Sequence, residues 1–142
     1  MTWHASREPV LTAAGTVGAM APPAVRALRG ATTIDVDSTG HIEGRVVSLL
    51  AQMIERNEVD HEDIISIFFT ATADVVSTFP ATAARTFGLG DVPLICAQEL
   101  SITGATPMCI RVMMHLATGR SRSELHHVYL EGARGLRDDL PD

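Results

Sequence analysis

The sequence has few cysteines, fewer basic than acidic residues and no long apolar run, and each shortage argues against a class of protein. Its two cysteines, Cys96 and Cys109, are too few for a disulfide framework or a closed zinc site. We therefore expect two reduced thiols in a cytoplasmic protein. A formal net charge of −6 argues against a general nucleic-acid binder. No stretch approaches the roughly 18 apolar residues that a membrane span needs.

Patterns for metal binding and for covalent catalysis are also missing. His126 and His127 are adjacent, so on a strand they would point to opposite faces and could not chelate one metal. The other histidines show no ligand spacing, and we predict no metal site. No Ser–His–Asp order is suggestive, and "GLGD" lacks the strand-then-helix setting of a dinucleotide fingerprint.

Length and composition fit one compact domain preceded by a different segment. The chain has 142 residues, of which 46% are hydrophobic and 20% charged, as in ordinary globular proteins. Residues 1–24 are rich in Ala, Gly, Pro and Thr and have no helical or strand period. A signal peptide or a start codon placed too early would also explain them, although Glu8 and Pro22 fit a signal peptide poorly. We predict a disordered or extended N-terminal extension over 1–24 and a folded domain over 25–142.

Strand and helix patterns alternate along the folded part, which predicts an α/β or α+β domain with one mainly buried sheet. A long helix is expected after Ser38, ending near Asn57, and a short one over Phe79–Gly88 with Pro80 at its start. Asp60–Asp63 and the pair Ser121 and Glu124 predict capped turns. Strands are predicted at Val25–Ile34, Ile64–Thr72, Val92–Leu100, Met108–Ala117 and His126–Ala133.

Charged residues interrupt three of these apolar strands. Arg111 lies within "CIRVMMH", Arg29 follows Val25, Ala27 and Leu28 in the first strand, and Glu99 lies near the end of the third. Tyr129, the only tyrosine, lies in the last strand. An arginine cannot lose its proton to escape burial, and an unpaired buried charge is strongly destabilising. Arg111 therefore needs an anionic partner.

Two interpretations of these charges remain open at this point. The first is an internal ion pair of Glu99 with Arg111 or Arg29, which would add little to stability. The second is a bound anion, because two arginines against one carboxylate leave a positive excess. Arg85, on the short helix, could add a third cation at the rim. Such a pocket has no obvious nucleophile, so it suits a reaction that needs positioning and electrostatics.

Five sequence blocks carry a resemblance to a known family. They are "LRGATT", "ATADVVSTFPATAAR", "VPLICAQELSITG", "CIRVMM" and "HVYLEGARGLRDDL". In this order and spacing they resemble the monofunctional, bacillus-type chorismate mutases, from Val25 to the C-terminus. The resemblance implies an α+β domain with a mixed sheet and helices on one face, assembled as a homotrimeric pseudo-α/β barrel with sites between subunits. It also implies the Claisen rearrangement of chorismate to prephenate, in phenylalanine and tyrosine biosynthesis, without a metal or cofactor.

The resemblance further implies roles for particular residues. Arg29 resembles the arginine that holds a substrate carboxylate, and Tyr129 resembles a hydrogen-bond donor at the same end. Arg111 is similar to the catalytic cation beside the ether oxygen. Glu99 and Cys96 match the pair that contacts the ring hydroxyl.

The remaining matched positions are similar to parts of the pocket boundary. Phe79, Ala81 and Leu136 resemble pocket walls, and Arg85 resembles an outer anion clamp. Thr82 stands where the family has a lysine, which would weaken the positive charge at the rim. The chain ends at Asp142, so we expect a short C-terminal lid.

Two alternatives from other classes accompany this hypothesis. One is a trimeric small-anion-binding or regulatory protein that kept the pocket without useful activity. The other is an imine- or enamine-deaminating enzyme of similar trimeric shape, from which "CIRVMM" and "QELSITG" point away.

Overall fold

The computed structural model describes residues 22–136, which form a five-stranded mixed sheet with two α-helices. The strand order is β3-β2-β4-β1-β5. β4 is antiparallel to both β1 and β2, whereas β1 and β5, and β2 and β3, are parallel pairs. The elements are β1 Ala24–Thr33, α1 Thr39–Arg56, β2 Ile64–Ala71, α2 Pro80–Ala84, β3 Leu94–Gln98, β4 Cys109–Thr118 and β5 Val128–Tyr129. The predicted α+β class is confirmed, and the predicted N-terminal extension lies, up to residue 21, outside the described residues.

The core lies between the sheet and α1, and the alternation along β4 explains how. Ile110, Val112, Met114 and Leu116 are all nearly fully buried, whereas Arg111 between them is exposed. Successive strand residues point to opposite faces, so this alternation assigns one face of β4 to the core. From α1, the residues at helical spacing complete the core: Ile42, Val46, Leu49, Leu50 and Met53. The helix therefore has the bounds and the apolar face that the sequence predicted, with Ser38 as N-cap and Asn57 as C-cap.

A close approach between α1 and β1 depends on a glycine. A Cβ atom at Gly30 would collide with the Met53 sulfur and lie 3.1 Å from a Leu49 methyl group. The helix therefore packs directly onto the backbone of β1.

The second face of the sheet is open in the single chain. Phe68 of β2 is 46% exposed and Ile95 of β3 is 54% exposed, and these two residues are register partners. Val25 at the start of β1 is 51% exposed. The sheet that we expect to be mainly buried is therefore buried on only one of its faces in a single chain. Aromatic and β-branched residues favour a strand whether or not its second face is covered, so composition alone did not separate the two cases. Within residues 22–136, no helix is long and apolar enough to cross a membrane.

Three elements differ from their predictions by more than one residue or in helical type. β5 contains only Val128 and Tyr129 instead of the predicted eight-residue strand, because Glu131–Ala133 turns into a 3-10 helix. β3 is also shorter than predicted, at Leu94–Gln98. The helix predicted over Phe79–Gly88 is α-helical only to Ala84 and continues as a π-turn in which Gly88 has φ of 108°. The sequence identified the turn residue correctly but not the change in helical type before it.

Asn57 holds the segment before β5 in place. Its side chain is buried, its Nδ2 donates to Met53 O at 2.9 Å and to His126 O at 2.8 Å, and its Oδ1 accepts from His126 N at 2.6 Å. One side chain thus joins the end of α1 to the strand that carries Tyr129. Buried backbone groups need such partners where no strand supplies them.

We expect Asn57→Ala to lower the free energy of unfolding by about 2–3 kcal/mol, since it leaves buried backbone donors and acceptors without partners. Urea unfolding followed by circular dichroism measures the change. Glu55→Ala, at an exposed position of the same helix, is the control and should change stability by less than about 0.5 kcal/mol. Equal effects of both substitutions would contradict this role for Asn57.

Candidate active site

Four of the charged and polar residues singled out in the sequence line one cavity of about 280 Å³. They are Arg29, Glu99, Arg111 and Tyr129. The strand register brings them together, because Ala31 of β1 pairs with Arg111 of β4 on one side and with Tyr129 of β5 on the other. Arg29 lies two residues before Ala31 and so points to the same face of the sheet. Their side chains therefore converge over the open face.

Glu99 is fixed by both its backbone and its carboxylate. Its N–H donates to Ala71 O at 2.9 Å, which extends the pairing of β2 with β3 by one residue. Its Oε1 accepts a hydrogen bond from the Thr70 hydroxyl at 2.7 Å and lies 3.6 Å from Arg111 Nε. The nearer partner of the carboxylate is therefore neutral, and its ion pair with Arg111 is loose.

Arg111 is less buried than the sequence suggested. Its side chain is 45% exposed and that of Glu99 is 25% exposed. The expectation of a buried guanidinium is wrong because the apolar neighbours Ile110 and Val112 point to the opposite face of β4. In this chain the ion pair carries a small energy, since solvent screens half-exposed charges.

A positive excess remains in the cavity after this pair is counted. Within residues 22–136, the guanidinium of Arg29 has no carboxylate within ion-pair distance. The cavity therefore contains two arginines and one carboxylate, of which the carboxylate already serves Arg111 and Thr70. Phe68 and Met113 form apolar walls beside the two arginines. This arrangement can bind an anion and orient it by directed N–H groups.

Cys96 and Phe79 lie elsewhere, in a larger cavity of about 410 Å³. Gln98, the last residue of β3, lines this cavity, and the next residue, Glu99, lines the smaller one. Cys96 pairs with the buried Phe69, whereas Glu99 points to the open face. The structure thus does not bring Cys96 and Glu99 into one cavity of a single chain.

Three further predicted site residues lie outside these two cavities. Ala81 is 5% exposed and packs in the core, because α2 buries Pro80, Ala81, Ala83 and Ala84 and exposes only Thr82. Arg85 is exposed at the beginning of the π-turn. Leu136 is partly exposed in the turn after β5, where its N–H donates to Ala133 O.

The wall of the larger cavity is held by side-chain carboxylates. Asp37 accepts hydrogen bonds from the N–H groups of Val76 and Ser77, and Asp74 accepts from Thr72 and from Met108 N. The Thr72 hydroxyl, and then the Met108 N–H, lower the pKa of Asp74. These bonds tie residues 72–78 to the start of α1 and to β4.

Sequence reasoning missed two residues that support the smaller cavity. Thr70 bonds to Glu99, and the ring Nδ1 of His127 accepts a hydrogen bond from Arg29 N at 2.9 Å. The alternation along β2 would have placed Thr70 on the open face, but its partner depends on the β2–β3 register, which the sequence did not give. Nothing in the sequence pattern indicates that the backbone N–H of Arg29 donates to a histidine ring instead of to the carbonyl of a neighbouring strand.

The two cysteines differ in their surroundings. Cys109 is 1% exposed, and burial raises the pKa of its thiol despite the opposing effect of Arg111. Cys96 is partly exposed and lines the larger cavity. Among residues 22–136, no group of three or more His, Cys, Asp or Glu side chains could hold a metal ion.

We predict that a thiol reagent such as DTNB modifies one cysteine per native chain rapidly and the second only after unfolding. The thiolate is the reacting species, so the buried Cys109 should react slowly. Absorbance of the released thionitrobenzoate gives the count. Cys96→Ser should abolish the fast phase and Cys109→Ser should leave it, and the opposite pattern would contradict this assignment.

Comparison with known proteins assigns the chain to a family. The family model of chorismate mutase type I matches residues 25–140. The chorismate mutase AroH of Bacillus subtilis (strain 168) is 40% identical over 117 residues, covering 82% of this chain and 92% of that protein. The chorismate mutase AroH of Thermus thermophilus is 39% identical over 117 residues, covering 82% of this chain and 96% of that protein. The solved structure of a chorismate mutase from Clostridium thermocellum matches with a TM-score of 0.75 and 42% identity, covering 77% of this chain and 97% of that one. The chain belongs to the type I chorismate mutase family.

Proposed function

We propose that the protein catalyses the Claisen rearrangement of chorismate to prephenate, in phenylalanine and tyrosine biosynthesis. The observation that carries this proposal is the convergence of Arg29, Glu99, Arg111 and Tyr129 on one cavity in a member of this family. The reaction breaks one carbon–oxygen bond and forms one carbon–carbon bond within a single molecule. It needs no nucleophile and no proton transfer, so charge and shape are what the chain must supply.

Arg111 is the group assigned to transition-state stabilisation. As the ether carbon–oxygen bond breaks ahead of carbon–carbon bond formation, negative charge develops on the ether oxygen. A fixed guanidinium at that oxygen interacts more strongly with the transition state than with the ground state, and this difference lowers the barrier. The ion pair with Glu99 helps to hold the guanidinium in place, since Arg111 Nε lies 3.6 Å from the carboxylate.

Arg29 and Tyr129 are assigned to a carboxylate of the substrate. Chorismate is a dianion, and the cation of Arg29 has no carboxylate partner in the described chain. A guanidinium and a phenol hydroxyl can together orient a carboxylate by directed hydrogen bonds. Holding the substrate this way selects its reactive diaxial conformer and removes the entropic part of the barrier.

Glu99 and the residues of the larger cavity are assigned to the rest of the substrate. The Glu99 carboxylate, bound by the Thr70 hydroxyl, can accept a hydrogen bond from the ring hydroxyl. Cys96, Phe79, Ala81 and Leu136 are proposed as further binding and wall residues, and Arg85 as an outer anion clamp. Because the two cavities are separate in one chain, these roles require a site completed by a second subunit.

We further propose that residues 25–142 form a domain that assembles as a homotrimer in the cytoplasm. The open face of the sheet supports this assembly, since it presents Phe68, Ile95 and Val25 to solvent. Exposed apolar patches of this kind favour association. A trimer would cover the face and place the half-exposed Arg111 in a drier site, where its field is stronger.

We expect Arg111→Ala to lower kcat by about 10²–10³-fold, which is the usual loss on removing one preorganised donor. Loss of the diene absorbance of chorismate measures the rate, and detection of prephenate identifies the product. Arg56→Ala, which removes an exposed arginine of α1 outside both cavities, is the matched control and should keep the parent rate. An Arg111→Ala variant with near-parent kcat would contradict the role of this residue.

The same assay separates the alternative functions. A protein that binds chorismate without forming prephenate would be a binding or regulatory protein. Release of ammonia from an imino acid, without conversion of chorismate, would indicate a deaminase.

Light scattering after size-exclusion chromatography tests the assembly. The parent protein should have three times the mass of one chain, and Ile95→Glu should shift it toward the monomer by placing a charge on the open face. Val36→Glu adds the same charge at an exposed position outside the strands and should remain trimeric. A parent protein with the mass of one chain would contradict the proposal.

A further inference from the structure

The bend that follows Tyr129 contains a residue in an unfavourable backbone conformation. Glu131 has φ of 54°, in the left-handed region. Residues other than glycine are uncommon in this region and stay there only when the surrounding structure holds them. The bend connects two residues proposed for substrate binding, because Tyr129 precedes it and Leu136 lies in the turn after it. The contacts that hold the bend therefore bear on the candidate active site.

Two hydrogen bonds to β1 fix the bend on either side of this residue. The Leu130 N–H donates to Ala31 O at 2.9 Å, and the Gly132 N–H donates to Thr33 Oγ1 at 2.9 Å. A Cβ atom at Gly132 would lie 2.7 Å from the same hydroxyl oxygen, so the backbone of the bend lies directly against β1. Ala31 is also the register partner of Tyr129. The bend and the tyrosine are thus attached to one short stretch of β1.

Arg45 of α1 is the cation that pairs with the side chain of Glu131. Its Nη1 lies 3.3 Å from Glu131 Oε2 and donates to Thr33 O at 2.9 Å, and its Nη2 donates to Asp35 Oδ2 at 2.7 Å. The Arg45 side chain is only 19% exposed, whereas those of Asp35 and Glu131 are 73% and 49% exposed. The planar guanidinium therefore joins the helix, the end of β1 and the bend.

We propose that Arg45 is a positioning residue for the candidate active site and acts through Glu131 on the placement of Tyr129. The inference rests on the proposed function, because its kinetic consequence requires Tyr129 to hold a carboxylate of the substrate. Arg45 lies on α1, which packs on the core face of the sheet, and it lines neither of the two cavities of the candidate site. Its effect is therefore indirect. A shift of the bend by about 1 Å would move the phenol hydroxyl relative to the substrate.

The two carboxylates that pair with Arg45 provide a matched comparison. A contact with a substrate carboxylate is present in both the ground state and the transition state, so weakening it acts mainly on KM. We expect Glu131→Gln to raise KM for chorismate by about five-fold and to change kcat by less than about two-fold. Asp35→Asn makes the same change at the closer partner of Arg45 and should leave both constants at their parent values.

This comparison separates positioning from a contribution to stability alone. If Arg45 only stabilised the fold, the shorter bond to Asp35 would matter at least as much as the longer contact with Glu131. An effect of Asp35→Asn on KM equal to or larger than that of Glu131→Gln would therefore overturn the proposal.

A double-mutant cycle tests whether the effect passes through the Tyr129 hydroxyl. Arg45→Met removes the guanidinium and keeps an apolar stem, and it should raise KM by about five- to ten-fold in the parent chain. In a Tyr129→Phe background the hydroxyl is absent, so the same substitution should raise KM by less than about two-fold. Independent residues would give equal factors in both backgrounds, and that result would contradict the proposal.

Amide hydrogen exchange followed by mass spectrometry gives a readout that needs no substrate. Arg45→Met and Glu131→Gln should speed exchange of the peptide that contains Leu130 and Gly132 by about three-fold or more, and Asp35→Asn should not. Unchanged exchange in the first two variants would overturn the proposal even if the parent protein did not convert chorismate. Faster exchange with unchanged KM in an active parent would overturn the positioning role and leave the proposed function intact.

Discussion

The site depends on the antiparallel register between β1 and β4. In this register Ala31 faces Arg111 and Arg29 faces Met113, so both arginines point to the open face of the sheet. The parallel pairing of β5 with β1 then sets Tyr129 beside the same alanine. A slip of one residue between β1 and β4 would turn Arg111 toward α1 and place Ile110 or Val112 in solvent, and a slip between β1 and β5 would turn Tyr129 away from the open face. The buried residues that alternate with Arg111 therefore stabilise the fold and fix the site at once.

The carboxylate in this cavity limits the positive charge without cancelling it. Glu99 lies 3.6 Å from Arg111 Nε and accepts a closer hydrogen bond from Thr70, so it orients the guanidinium but leaves most of its field available. Among residues 22–136, no carboxylate pairs with Arg29, and its backbone N–H donates to the His127 ring. A pocket of this composition can hold a dianion and still direct one cation at a third oxygen. The internal ion pair and the bound anion, which are competing interpretations of the sequence, are therefore compatible.

Most of the fold followed from periodicity, whereas the site followed only in part. The caps at Ser38 and Asp60 and the apolar face of α1 were readable because helices and turns are determined by neighbouring residues. The short length of β5 could not be predicted in this way, because the segment before it is held at His126 by the side chain of Asn57, which is distant in sequence. The same limit applies to Thr70 and His127, whose partners are set by strand register and by contacts across the sheet. Arg111 was noticed for its charge, but the open face that it occupies could not be deduced from the composition of β4.

The use of arginine instead of lysine keeps the positive charges on the open face of the sheet permanent. The sequence contains no lysine, so all 11 of its basic residues are arginines. A lysine enclosed by apolar walls can lose its proton, and its charge would then depend on the degree of burial. A guanidinium stays charged, so an apolar surrounding strengthens its field rather than removing it. Arg29 and Arg111 are half-buried in one chain and would be enclosed further if a second subunit covered the open face. Their positive charge would survive this enclosure, which makes a cavity assembled between subunits compatible with a strong, permanent electrostatic field.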